Sequence, residues 1–324
     1  MSIPGLNPSV PPAQDPPPAP PQVPPPRLGI PTLRNRPVGQ SDAGREDASS
    51  ERGLKRGHPA EAEEVGMDLE PSTAPTFKRR RVDAGPATPQ RLQALIDAGD
   101  EAGLRALLQQ APELLNASHP PPILQEMTPL CYAATKGLEA MARCLIDCNA
   151  SVEVTSRGSN TPLIFACNRG HLNIARMLRE RGAVLTAKDA KGANCLHIAA
   201  YNGRYAVVEW LLSENVPIDG INNEGITPLM MACRNGHLKV AQMLYERGAS
   251  LTAKALNGWN CLHYAANDGR EELVRWLVGK NVPIDEPTEY GITPLMMACR
   301  NRHLKVAQIL HEIGACLSSK DLDG

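Results

Sequence analysis

Cys195-Leu196-His197 and Cys261-Leu262-His263 each set a thiol two residues from an imidazole. Such a pair is part of two chemistries: a thiolate nucleophile with its base, or two of the four ligands of a structural zinc. Each chemistry needs more than the pair supplies. A nucleophile's base must be oriented by a third group in a cleft, and zinc needs four convergent ligands. The two pairs stand 66 residues apart, and His171, His237 and His303 recur at the same interval. A spacing that repeats along the chain is explained by architecture, so these residues read as framework. No phosphate-cradling glycine loop, H-E-x-x-H or G-x-S-x-G is present, and the residues point to neither an enzyme nor a bound metal or cofactor.

The elements that hold these residues are equally periodic. Thr128-Pro129-Leu130, Thr161-Pro162-Leu163, Thr227-Pro228-Leu229 and Thr293-Pro294-Leu295 leave two gaps, filled by Asn194-Cys195-Leu196 and Asn260-Cys261-Leu262, so the period is 33 throughout. Thr or Asn caps the orphan amides of a helix start, and Pro at the first helical position loses no hydrogen bond. Gly137, Gly170, Gly203, Gly236 and Gly269 end the short helices, where a left-handed residue is wanted. A second helix follows in each unit, as in residues 237–246, where Leu238, Ala241 and Leu244 or Tyr245 share one face. A turn-prone stretch such as Ala255-Leu256-Asn257-Gly258 links to the next unit.

The 33-residue period and the T-P-L-H-x-A-like signature resemble the ankyrin repeat, over six units: 126–157, 158–190, 191–223, 224–256, 257–289 and 290–322. The resemblance implies an all-α solenoid of stacked helix-turn-helix units with projecting β-turns. Residues 88–125, with Leu92, Leu95, Ile96, Leu104, Leu107 and Leu108, read as a degenerate N-terminal repeat or cap, joined through a longer connection around His119-Pro120-Pro121-Pro122. His follows the Leu only at His197 and His263; Cys131, Ile164, Met230 and Met296 stand there elsewhere, and apolar packing is expected to replace the family's inter-repeat hydrogen bond. Residues 225–256 match 291–322 at 24 of 32 positions but match 192–223 at only 7, so two repeats were copied together. Cys167, Cys233 and Cys299 mark that 66-residue unit. Arg302 replaces the helix-ending Gly, which predicts a weaker last unit because a Cβ in the left-handed region costs about 1 kcal/mol. Residues 323–324 read as the start of a truncated repeat. Leu304, Val306, Ala307, Ile309 and Leu310 show no polar capping face, so the sequence is expected to be a fragment or an early stop.

Upstream the composition changes. Of 30 prolines, 19 lie in residues 1–89, and Phe77 is the only aromatic residue before Tyr132. Residues 1–87 lack the apolar side chains that offset chain entropy and are expected to be a disordered Pro-rich leader. The blocks Pro16 to Pro18 and Pro24 to Pro26 favour polyproline II, as a spacer or as a ligand for an aromatic groove. Lys78, Arg79, Arg80 and Arg81 resemble a monopartite nuclear import signal, with an importin as reader; a solvated charge run is the plain alternative. The net charge is −1, and 23 basic residues face 24 acidic ones from Pro89 onward, so no basic stripe for nucleic acid is expected. No apolar run reaches membrane-spanning length and no secretory signal opens the chain. With nine cysteines, an odd number, a reducing intracellular setting is expected, in the nucleus or the cytoplasm.

The resemblance also implies where binding happens: on the concave side, formed by first helices and turn tips. The residues the framework leaves free there are Thr135 and Lys136, Asn168 and Arg169, Tyr201 and Asn202, Arg234 and Asn235, Asn267 and Asp268, and Arg300 and Asn301. At the tips, Lys191, Glu224, Trp259, Glu289 and Tyr290 are expected to project, Trp259 either as an interface anchor or packed on the adjacent turn. The implied function is a non-enzymatic scaffold or adaptor that binds a protein partner. The alternative is the recognition region of a larger enzyme, such as a ubiquitin ligase or kinase, with its catalytic domain elsewhere.

Overall fold

The structure, a computed structural model, describes residues 86–119, 123–156 and 158–321. The leader to residue 85 with its basic run Lys78 to Arg81, Pro120 to Pro122, and residues 322–324 lie outside the described residues. Among the described residues fourteen α-helices form seven successive pairs, with no strand and one isolated bridge between Ser156 and Asn160. The pairs are α1 (Pro89–Ala98) with α2 (Glu101–Gln110), α3 (Pro129–Lys136) with α4 (Glu139–Asp147), α5 (Pro162–Arg169) with α6 (Leu172–Glu180), and α7 (Cys195–Tyr201) with α8 (Tyr205–Ser213). They continue as α9 (Pro228–Asn235) with α10 (Leu238–Glu246), α11 (Cys261–Asn267) with α12 (Glu271–Gly279), and α13 (Pro294–Arg300) with α14 (Leu304–Glu312). No described helix is long and apolar enough to cross a membrane.

Local chemistry sets each first helix. The side-chain oxygens of Thr88, Thr128, Thr161, Asn194, Thr227, Asn260 and Thr293 all accept a backbone N–H from the first turn. Small residues then let neighbouring first helices approach closely: Ala133, Ala166, Ala199, Ala232, Ala265 and Ala298 are all fully buried. Second helices place larger side chains at their contacts, among them Met177, Trp210 and Met243, and pack less densely on one another than the first helices do. Trp276 meets Tyr245 edge-on, ring centroids 5.8 Å apart, so these aromatics fill space between second helices.

Three sets of hydrogen bonds lock pair to pair. Backbone amides at the turn tips bond to the preceding tip, as Asn223 N to Lys191 O at 3.0 Å and Leu256 N to Glu224 O at 3.0 Å. His197 and His263 donate from Nε2 to the carbonyls of Ile226 and Ile292, at 3.1 and 3.3 Å, while Nδ1 of each accepts its own cap residue's amide. Nδ1 of the two rings also stands 2.7 and 2.8 Å from the side-chain oxygens of Asn194 and Asn260, so each imidazole is held by its own cap on one side and by the next repeat on the other. Where Met replaces His, Met230 and Met296 fold their sulfurs back toward the amides of Thr227 and Thr293, and Cys131 sets its thiol 4.0 Å from the Val154 and Asn160 carbonyls. Ile164 is buried and apolar at the same place.

The third set comes from residues that open the second helices without capping them. Arg204 and Arg270 donate from Nε to the carbonyls of Asn168 and Arg234 at 2.9 and 3.0 Å, and His237 and His303 donate from Nε2 to those of Tyr201 and Asn267 at 3.0 and 2.9 Å. These carbonyls are the unsatisfied ends of the first helices, where a donor or cation is most useful. The contact explains one glycine better than its backbone angle does. At Gly203 φ is +67°, but an added Cβ would also lie 2.5 Å from His237 Nδ1. Arg302 holds the corresponding left-handed conformation, φ +62°, in the last described pair.

The repeated cysteines also meet. Cys167 lies beside Cys195 and Cys233 beside Cys261, all four fully buried. Thiol-to-thiol hydrogen bonding and burial push Cys167 and Cys233 well above the usual thiol range, so they are protonated packing groups.

Candidate functional site

At the C-terminal ends of the first helices from α3 to α13, two successive positions per repeat form two parallel rows running along the stack. One row holds Thr135, Asn168, Tyr201, Arg234, Asn267 and Arg300; the other holds Lys136, Arg169, Asn202, Asn235, Asp268 and Asn301. Their backbones are fixed by the inter-pair bonds to the Asn168, Tyr201, Arg234 and Asn267 carbonyls, while their side chains stay half-buried or exposed.

Side chains in the later half of the rows are tied to one another. Arg234 pairs with Asp268 at 3.7 Å, Asn267 donates to the Asp268 carboxylate at 2.7 Å, and Asn301 donates to Asn267 at 2.9 Å. Asn202 turns its amide back on its own helix, to the Ile198 carbonyl at 2.8 Å. Asn235 keeps a buried side-chain NH₂ with no partner among the described residues. Arg300 is exposed and makes no ion pair there. In the earlier half, Lys136 lies over the Tyr132 ring at 5.5 Å, and Arg169 makes neither an ion pair nor a side-chain hydrogen bond among the described residues.

Trp259 differs from the expectation of a freely projecting tip. It precedes the cap Asn260 as Ala193 precedes Asn194 and Ile226 precedes Thr227, which is a buried apolar position in those units. The indole is half-buried against the core and stacks at 5.0 Å on Tyr264, whose hydroxyl burial pushes up to about 12. The larger indole is only half-buried where alanine and isoleucine are fully buried. Tyr290, Lys191, Glu224 and Glu289 do stand exposed at the tips, Tyr290 at 46 %.

Phe165, Ile198 and Met231 complete this face and were not among the residues singled out from sequence. Each stands three and four residues before the paired row positions, hence on the same side of its helix, and each is half-buried. The equivalent Tyr132 and Tyr264 are buried, so only that helical spacing could have pointed to the three as an apolar strip. The face therefore joins a polar double row, a short apolar floor and a line of turn tips. Among the described residues no cluster of three or more His, Cys, Asp or Glu side chains could hold a metal ion. His197 and His263, the imidazoles of the two thiol pairs, are held below the usual histidine range by burial, His263 at about 4, and both rings are engaged in inter-pair bonds. Neither is placed as a base beside an open cleft.

A sequence model described as ankyrin repeats, in three copies, matches residues 92–189, 183–255 and 251–321. These stretches cover well over half of the chain, and over the same residues the helices pair and stack. The chain belongs to the ankyrin-repeat family.

Proposed function

We propose that the chain is a non-enzymatic scaffold or adaptor that presents the first-helix face to a protein partner. Ankyrin repeats are a protein–protein interaction module, and the pair α1–α2 is read as a degenerate repeat ahead of six repeats proper. The observation that carries the reading is the double row itself: backbones held by the next repeat, with polar side chains half-buried or exposed along one face. A surface ordered before binding loses little entropy when a partner arrives, so modest contacts suffice for affinity. Tyr201, Asn202, Arg234, Asn235, Asn267, Asp268 and Arg300 are assigned to the contact, with Tyr290 at the tips and the half-buried Trp259.

Affinity capture with the full chain identifies the partner. Tyr201→Ala with Arg234→Ala is expected to cut that capture at least tenfold at unchanged melting temperature; unchanged capture removes these residues from the interface. Lys78 to Arg81 are proposed to give nuclear access through an import receptor. A fluorescent fusion of the full chain should leave the nucleus when all four become alanine, and an unchanged distribution counts against it.

A further inference from the structure

The rows on the first helices are not neutral along their length. From Thr135 to Asn235 they hold Lys136, Arg169 and Arg234 and no Asp or Glu. The first acid, Asp268, is already held by Arg234 and Asn267. The array as a whole is not basic, since 23 basic residues oppose 24 acidic ones from Pro89 onward, so the excess is local.

A cation at a helix C-terminus needs no ligand to explain it, because it interacts favourably with the helix dipole. At α5 that task is performed from the neighbouring pair: the Asn168 carbonyl takes Arg204. Arg169 is exposed beside it and has no ion pair or side-chain hydrogen bond among the described residues. At the tip before α7, Lys188 and Lys191 add charge, Lys188 also donating to the Ile221 carbonyl; Asp189 is engaged by the amides of Lys191 and Ala193, and the next exposed carboxylate, Glu224, belongs to the following tip. Phe165 and Ile198, three residues before Asn168 and Tyr201 on the same helix faces, are half-buried apolar neighbours of the rows.

We propose that the α3–α7 part of the face binds an extended, acidic and apolar segment of a partner protein, with carboxylates on Lys136 and Arg169 and apolar side chains on Phe165 and Ile198. Lys136 and Arg169 hold equivalent positions on adjacent first helices, roughly 9–10 Å apart by ordinary helix packing. Three residues of a polyproline II-like segment advance about 9 Å and return to the same face, so acids at i and i+3 match the two cations. This inference rests on the scaffold reading and names the chemistry of the partner at one end of that surface.

The test uses the full chain and fluorescein-labelled twelve-residue peptides with Glu at every third position and Leu, Pro or Ala between, beside the same peptides with Lys for Glu. Anisotropy should show the acidic set binding at least tenfold tighter, with an affinity that falls as salt rises. K136E/R169E, and independently K136Q/R169Q, should weaken it tenfold or more, while K239E/R275E, the same charge change on exposed second-helix positions, should alter it less than twofold. Equal binding of the Lys set, equal losses in the two double reversals, or tighter binding of a labelled single-stranded RNA would overturn the proposal. Binding of neither peptide set also overturns it; the scaffold reading is then judged separately by partner capture with Tyr201→Ala and Arg234→Ala.

Discussion

The α9–α10 and α13–α14 pairs are close copies in sequence and differ in what surrounds them. Leu251 is 8 % exposed and its copy Leu317 is 70 % exposed; Cys233 is buried against Cys261, whereas Cys299 is exposed. Leu238 is half-buried, and Leu304 is 69 % exposed. The residue types are the same, so the difference comes from the following pair, which covers α9–α10 and has no counterpart on α13–α14 among the described residues. Burial in this array is supplied by neighbours as much as by a unit's own pattern, as expected of a structure in which each repeat touches only the next.

The largest contrast should appear in core truncation. Leu251→Ala removes a nearly buried side chain and is expected to cost about 2 kcal/mol or more, whereas Leu317→Ala should stay within ~0.5 kcal/mol; chemical denaturation measures both. Equal losses would mean that the two copies are equally covered in solution.

The glycine position sharpens the comparison next. Gly236→Arg, which writes the Arg302 residue into the interior copy, introduces a Cβ 3.1 Å from the Arg270 side chain at φ +85°, and should cost about 2 kcal/mol through backbone strain and a loosened bond to the Arg234 carbonyl. The reverse change, Arg302→Gly, relieves φ +62° and should raise stability by about 0.5–1 kcal/mol. A destabilised Arg302→Gly chain would show that the arginine makes a contact that outweighs its strain.

The smallest effect separates His-bearing from Met-bearing repeats. Burial holds His263 at about 4, below the ~6.5 of an unfolded histidine. The unfolded chain therefore binds more protons in that window, so the stability from neutral His263 is fully present above about pH 6.5 and is lost as pH falls toward 4. His263→Met, the residue found in the alternate repeats, should cost about 1 kcal/mol at pH 7 and flatten the decline below pH 6.5, leaving the share due to His197. An unchanged acid limb would assign the pH dependence elsewhere.

Much of the fold was legible because each helix is bounded by local chemistry. Thr and Asn caps, Pro at the first helical position and left-handed glycines act within a few residues of themselves, and all appear where that chemistry puts them. What depended on neighbours was harder to read. The sequence leaves Trp259 between an interface anchor and packing on the adjacent turn, and the structure sets it on Tyr264 of the following helix. Phe165, Ile198 and Met231 looked like core residues of the same kind as Tyr132 and Tyr264, and only the stack shows that they remain half open. The use of His237 and Arg270 to fill the helix ends of the preceding pair is likewise a contact across some 36 residues that no local motif announces.

Hydrogen exchange on the full chain, without and with its captured partner, tests the central claim most directly. The account predicts that partner binding adds protection to the ends of α5, α7 and α9, around Asn168, Tyr201 and Arg234, and leaves the second helices unchanged. Protection gained on α6, α8 and α10 instead, with none at those first-helix ends, would contradict it.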